Sequence, residues 1–121
     1  MSWRRHPQQL SLKEYADHII EKRTPSSFFQ TELADLLSEL GIQHLFITGF
    51  ETEFFCMFTS ISAFDRGYNV TFIKDATGTM NTEDTYKMKG LKIRDFVGTV
   101  LHWSSVMEVL DYEEYKGRYS F

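Results

Sequence analysis

The sequence has little cysteine, little proline and no excess of positive charge. One cysteine and two prolines occur in 121 residues, and 13 Lys and Arg stand against 17 Asp and Glu, which gives a formal net charge of -4. A single cysteine excludes an internal disulfide, so nothing points to secretion. An acidic chain without a stripe of Lys or Arg is not expected to bind nucleic acid, because phosphate contacts need clustered positive charge.

The sequence also lacks the motifs of common metal and cofactor sites. Its four histidines are scattered, with no HxH or HExxH spacing, and no CxxC pair is possible. No GxGxxG, P-loop or GxSxG motif occurs, which excludes dinucleotide-binding, nucleotide-binding and serine-hydrolase interpretations. We therefore expect no metal and no cofactor.

No apolar run approaches 18 residues, and no signal-peptide h-region follows Met1. We expect a protein without a membrane segment that is soluble and intracellular, with the cytoplasm as the default compartment. The alternative is location in an organelle, reached through a transit peptide that has been removed. The polar, Gln-rich composition of residues 1–11 predicts an N-terminal arm, and the length predicts a single domain over residues 12–121.

What the sequence does contain is an alternating pattern of short strands and helices. Apolar and β-branched runs predict strands at residues 18–22, 44–50, 69–74 and 97–101. Capping residues and helical spacing predict four helices: one from a capping box of Ser27 and Gln30 to Gly41, one over residues 52–66, one over residues 81–95, and a short last one after a capping box of Ser105 and Glu108. Residues 75–79 are predicted as a loop. The alternation predicts an α/β fold with a mostly parallel sheet.

In such a sheet, sites form where strands end and helices begin. The junction at residues 48–52 (TGFET) leads into the helix that carries Cys56, with Thr52 as the expected N-cap. A cysteine in a first helical turn is a candidate nucleophile, and Lys22 is a possible electrostatic partner. A buried structural cysteine is the alternative, and the pattern alone favours it.

Several motifs in order resemble one known family. They are residues 22–33 (KRTPSSFFQTEL), 40–42 (LGI), 48–52 (TGFET), 63–70 (AFDRGYNV) and 75–77 (DAT). Together they resemble the isochorismatase-like cysteine hydrolases, which include isochorismatases, nicotinamidases and N-carbamoylsarcosine amidases. The resemblance implies a three-layer Rossmann-like fold with helices on both faces of a sheet ordered 3-2-1-4-5-6.

The resemblance also implies a catalytic apparatus. The family uses an aspartate as general base, a lysine that stabilises charge, and a cysteine that attacks the substrate. Backbone N–H groups near a cis peptide hold the oxyanion. By resemblance, Lys22 falls on the lysine position, Phe50 and Glu51 fall where the cis peptide is common, and Thr52 follows them in the oxyanion region.

The cysteine does not fall on the nucleophile position. In the family the cysteine stands three residues after the threonine and eight before the alanine of the AxxxGY segment. Counting from Thr52 and counting back from Ala63 both give Phe55. Cys56 is one residue late, and one residue on a helix is about 100° of rotation. Phe55 therefore occupies the nucleophile position, and the resemblance implies a degenerate member.

The resemblance begins near Asp17, which matches a position just before the lysine and is not the general base. The family's first two strands and its aspartate have no counterpart, so the chain is interpreted as N-terminally shortened. A sheet without its middle strands leaves an edge unpaired. We expect either that another chain completes the sheet, as a homo-oligomer or a larger assembly, or that residues 18–22 shift next to residues 44–50.

These observations predict a non-catalytic family member, a pseudoenzyme that acts as a structural or protein-interaction subunit. The alternative is an active cysteine hydrolase for a small amide, imide or vinyl-ether substrate. It would use Cys56 through a local helix irregularity and a base supplied by a partner chain. A third interpretation is a ligand-binding remnant in which Lys22 holds an anionic group.

Overall fold

The computed structural model of the protein describes residues 16–119. The predicted arm at residues 1–11 lies outside the described residues. The elements, in chain order, are α1 (Leu33–Glu39), β1 (His44–Phe50), a π-helical turn (Thr52–Cys56), α2 (Met57–Asp65), β2 (Asn69–Gly78), α3 (Glu83–Tyr86), α4 (Ile93–Trp103), β3 (Glu108–Leu110) and α5 (Tyr112–Arg118). Within this part of the chain no helix is long and apolar enough to cross a membrane.

The three strands form one parallel sheet in the order β1-β2-β3. β2 lies in the middle, and its residues Thr71 and Phe72 are 0% exposed because strands cover both edges and helices cover both faces. β1 lies at one end of the order and is mostly half-buried. The predicted α/β fold with a mostly parallel sheet is confirmed.

Helices cover both faces of the sheet. Val70 and Phe72 share one face because side chains alternate along a strand. Val70 packs with α1 and α2 through Leu37 and Ala63, and Phe72 packs with α4 through Val97. On the opposite face, the α5 tyrosines Tyr115 and Tyr119 contact the ring of Phe46, with centroids 5.5 and 4.8 Å apart. The structure thus has the three layers that the resemblance implies.

Two predicted elements have the expected bounds or nearly so. The strand over residues 44–50 is observed unchanged as β1. The helix over residues 52–66 is observed as the π-helical turn followed by α2. Gly67 follows it with a φ of 91°, as expected for a glycine that ends a helix.

The strand predicted at residues 97–101 is wrong, because these residues lie inside α4. Ile93, Val97 and Leu101 are buried at four-residue spacing, and this places them on one side of a helix. Val97 and Val100 are β-branched and favour a strand locally, and this preference led to the wrong prediction. The third strand is instead Glu108–Leu110, which pairs with β2.

The region before α4 also differs from the prediction. The helix over residues 81–95 is interrupted, because Lys87 and Gly90 adopt positive φ of 53° and 83°. Thr82 caps the single turn of α3 through its hydroxyl, which accepts from the N–H of Asp84. The predicted loop at residues 75–79 is largely strand, since Thr77 and Gly78 still pair with β1.

Three further expectations at the ends of elements are wrong. Residues 18–22 form no strand, because they pair with none of the strands in the described part of the chain, and they have not shifted next to β1. Ser27 and Gln30 do not cap α1, which begins only at Leu33, after Gln30 turns with a φ of 53°. The last helix begins after Asp111, and its capping box is formed by Asp111 and Glu114. The capping box predicted at Ser105 and Glu108 does not form.

Candidate functional site

The candidate site lies where β1 ends. Glu51 takes a strained φ of 45° directly after the strand, and the N–H of Cys56 bonds to the Glu51 carbonyl five residues back at 3.1 Å. This wide turn is π-helical, a form that often occurs at functional sites. The peptide bond between Phe50 and Glu51 is trans, since no described peptide bond is cis, and this differs from what the resemblance implied.

Lys22 and Phe55 lie against each other at this end of the sheet. The Lys22 ammonium stands 3.5 Å from the centre of the Phe55 ring, and it also donates a hydrogen bond to the carbonyl of Pro25 at 2.8 Å. Burial lowers the pKa of Lys22 to about 8, with a smaller opposing effect from Cys56. The structure therefore brings the lysine-position residue and the nucleophile-position residue into direct contact.

Cys56 belongs to the hydrophobic core. It is 2% exposed and packs in one cluster with Phe72, Ile93 and Val97. Burial raises the pKa of the Cys56 thiol to about 12, against an opposing effect of the Lys22 charge. The thiol donates a weak hydrogen bond to the carbonyl oxygen of Phe50, with 3.7 Å between sulfur and oxygen. At neutral pH it is a protonated thiol and a poor nucleophile.

Thr52 ties the π-helical turn to the end of β2. Its side chain is fully buried, and its hydroxyl donates to the hydroxyl of Thr77 at 3.0 Å. The Thr77 hydroxyl in turn donates to the Lys74 carbonyl at 2.8 Å. The expectation that Thr52 is an N-cap is therefore wrong: Glu51 precedes the turn, and no side chain caps it.

A buried carboxylate within this turn was not found from the sequence. Glu53 is 9% exposed, and its Oε2 accepts from Tyr86 at 2.5 Å, from Asn81 at 2.9 Å and from Thr79 at 3.2 Å. Burial alone would raise the pKa of Glu53, but these hydrogen bonds outweigh it and hold the pKa below its usual value. The partners lie far from Glu53 in the chain, so no spacing pattern signalled the cluster.

The parallel sheet, the covered faces and a lysine beside a turn at the strand end define an α/β protein of the Rossmann-like class. The isochorismatase domain family model matches residues 4–105. The chain therefore belongs to the isochorismatase family, and the family that its motifs suggested is confirmed.

Among its relatives, the chain is 37% identical over 67 residues to Nicotinamidase 3 of Arabidopsis thaliana, covering 55% of this chain and 34% of that protein. It is 34% identical over 100 residues to ureidoacrylate amidohydrolase RutB of Pantoea ananatis, covering 83% of this chain and 39% of that protein. The chain thus spans little more than a third of the length of these curated relatives.

Comparison with solved structures supports the same family. A Burkholderia xenovorans protein assigned as an isochorismatase superposes with a TM-score of 0.74 and 32% identity, over 88% of this chain and 51% of that one. The isochorismatase-like hydrolase of Alkaliphilus metalliredigens gives a TM-score of 0.67 and 25% identity, over 85% and 51% of the two chains.

Proposed function

We propose that the protein is a non-catalytic member of the isochorismatase family that acts as a structural or protein-interaction subunit. The observation that carries this proposal is the Phe55 ring, which lies 3.5 Å from the Lys22 ammonium. By the motif count, Phe55 stands where the family has its nucleophile. A phenyl ring has no group that can attack a carbonyl carbon, and it fills the space beside the lysine.

Cys56 does not take over the missing role in this proposal. Its thiol is buried in the core, and burial raises its pKa to about 12. A nucleophilic cysteine needs a lowered pKa and access to substrate. Both properties of Cys56 therefore support a packing role.

The free edge of β1 supports an interaction role. Among the described residues, β1 pairs only with β2. The strand has seven residues, HLFITGF, without Lys, Arg, Asp, Glu or Pro. Native proteins shield edge strands with such residues or cover them, because open N–H and C=O groups pair with other chains. We propose that a partner chain, in a homo-oligomer or a larger assembly, pairs along this edge.

An assay of hydrolysis tests the non-catalytic proposal. Nicotinamide and ureidoacrylate, the substrates in the names of two relatives, are incubated with the wild type and with the Cys56→Ser variant. We expect no release of ammonia above the uncatalysed rate from either protein. Turnover by the wild type that the Cys56→Ser variant loses would overturn the proposal.

A second candidate is an active cysteine hydrolase of a small amide, imide or vinyl-ether substrate. The π-helical turn favours it, since this is a helix irregularity of the kind that Cys56 would need in order to serve as nucleophile. The general base would come from a partner chain. This candidate predicts turnover only in the assembled protein, and the same Cys56→Ser variant abolishes it.

A further inference from the structure

A cavity lies between the π-helical turn, α2, α3 and α4. Its volume is about 320 Å³, and we call it the α2–α4 cavity. Its wall is almost entirely apolar and includes Phe54, Met57, Phe58, Leu91, Phe96 and Val100. None of Lys22, Phe55 and Cys56 lines it. The volume is within the range of pockets that hold small molecules.

Two polar side chains, Glu53 and Tyr86, stand in this apolar wall. The Glu53 carboxylate is more than nine-tenths buried, and all three of its side-chain donors bond to Oε2. Oε1 is buried and has no hydrogen-bond partner. The donors at Oε2 keep the Glu53 carboxylate negatively charged, and the buried Oε1 lacks the hydrogen bond that would stabilise this charge further.

The mouth of the cavity exposes large apolar side chains to solvent. Phe58 is 43% exposed, Phe96 57% and Val100 46%. A ligand with an apolar body would cover these side chains, and a positive charge at its end would be attracted to the negative charge of Glu53. Attraction between unit charges in a partly dry site acts beyond hydrogen-bond distance.

We propose that the α2–α4 cavity binds a small apolar ammonium ion, with the hydrocarbon body against Phe58, Phe96 and Val100 and the cation at the end of the cavity nearest Glu53, attracted to the buried carboxylate without touching it. The site is separate from the contact of Lys22 with Phe55. The proposal therefore holds whether or not the protein is catalytic.

The experiment compares two probes of equal shape, 2-phenylethylamine, which is a cation at pH 7, and 2-phenylethanol, which is neutral. Binding is followed by methyl NMR shifts of Val97 and Val100, which line the cavity. In the wild type we expect the amine to bind about tenfold more tightly, as one partly desolvated charge pair provides. The Glu53→Gln variant should remove this preference and keep the weak binding of the alcohol.

Two further variants locate the site. Val100→Trp places a large side chain at the mouth and leaves Glu53 in place, so both probes should bind weakly or not at all. Glu113→Gln removes a carboxylate that is exposed on α5 and pairs with Lys116, and the amine preference should equal that of the wild type.

Equal affinity of the two probes for the wild type, or absence of shifts from both at millimolar concentration, overturns the proposal. So does an amine preference that survives Glu53→Gln or a Val100→Trp variant that still binds. If Glu53→Gln does not fold, the salt dependence of binding to the wild type is the test. The affinity of the amine must fall with ionic strength, and the affinity of the alcohol must not.

Discussion

At the scale of the residue, the main feature of the site is the contact between Lys22 and Phe55, in which the phenyl ring fills the space beside the ammonium. A half-buried ammonium over a phenyl ring gains a cation–π attraction, but it loses hydration. Burial lowers the pKa of Lys22 from 10.5 to about 8. The motif count in the sequence assigns Lys22 and Phe55 to the family's lysine and nucleophile positions, and this assignment stays a prediction. The motif count could not predict the contact, because the contact joins segments more than thirty residues apart.

The lowered pKa of Lys22 predicts a pH dependence of stability. Below pH 8 the lysine is charged in both the folded and the unfolded chain, and the folded chain bears the cost of burying the charge. Between pH 8 and 10.5 the folded chain releases this proton first, so the cost declines as pH rises. Relative to Lys22→Met, the wild type should therefore gain stability over this range.

Urea unfolding of both proteins at pH 7.5 and pH 10.5 measures this difference. Lys89→Met, which removes an exposed lysine, is the control and should show no such change. A constant difference between the wild type and Lys22→Met across the range would contradict the prediction.

A thiol placed at position 55 should behave unlike the natural one. In the double variant Phe55→Cys, Cys56→Ser, the new thiol lies beside the Lys22 ammonium, which favours the thiolate. We expect iodoacetamide to alkylate it at pH 7.5 at least about tenfold faster than Cys56 of the native wild type. Equal rates would show that position 55 does not face the lysine.

At the scale of the element, the threonine contacts at the end of the sheet hold the π-helical turn in place. Thr77 is 3% exposed, accepts from Thr52 and donates to the Lys74 carbonyl. The variant Thr77→Val removes both bonds and leaves the fully buried Thr52 hydroxyl without its partner, which costs about 1–3 kcal/mol, while the Lys74 carbonyl belongs to an exposed residue. We expect a loss of about 1–3 kcal/mol in the free energy of unfolding.

Thr99→Val is the matched control, since Thr99 is exposed on α4. Chemical denaturation should place it within about 0.5 kcal/mol of the wild type. A Thr77→Val variant that is as stable as this control would show that the hydroxyl contacts do not hold the turn.

Elements whose own residue pattern favours one structure were predictable, and those set by tertiary packing or by single backbone positions were not. The apolar run of β1 and the helical pattern after it were sufficient to predict both elements. The valines of α4 suggested a strand, because local preference does not register that Ile93, Val97 and Leu101 all face β2. The break at Lys87 was invisible, since a lysine with positive φ gives no sequence signal.

At the scale of the whole molecule, the edge of β1 that no strand within residues 16–119 covers predicts assembly. We expect a mass in solution above that of one chain. Thr48 is exposed in β1, and Thr48→Lys adds the charge with which edge strands resist pairing. This variant should shift the mass in light scattering toward one chain, while Thr99→Lys should not. A wild type that is monomeric at all concentrations would contradict the partner proposal.

The central claim is that this member of the family has no nucleophile at its site. The measurement that tests it most directly is the rate at which iodoacetamide alkylates Cys56 in the native protein at pH 7.5, compared with the rate in the urea-unfolded chain. With a thiol that is 2% exposed and has a pKa of about 12, we expect the native rate to be lower by at least about a hundredfold. A native rate equal to or above the unfolded rate would mean an activated cysteine, and the claim would be wrong.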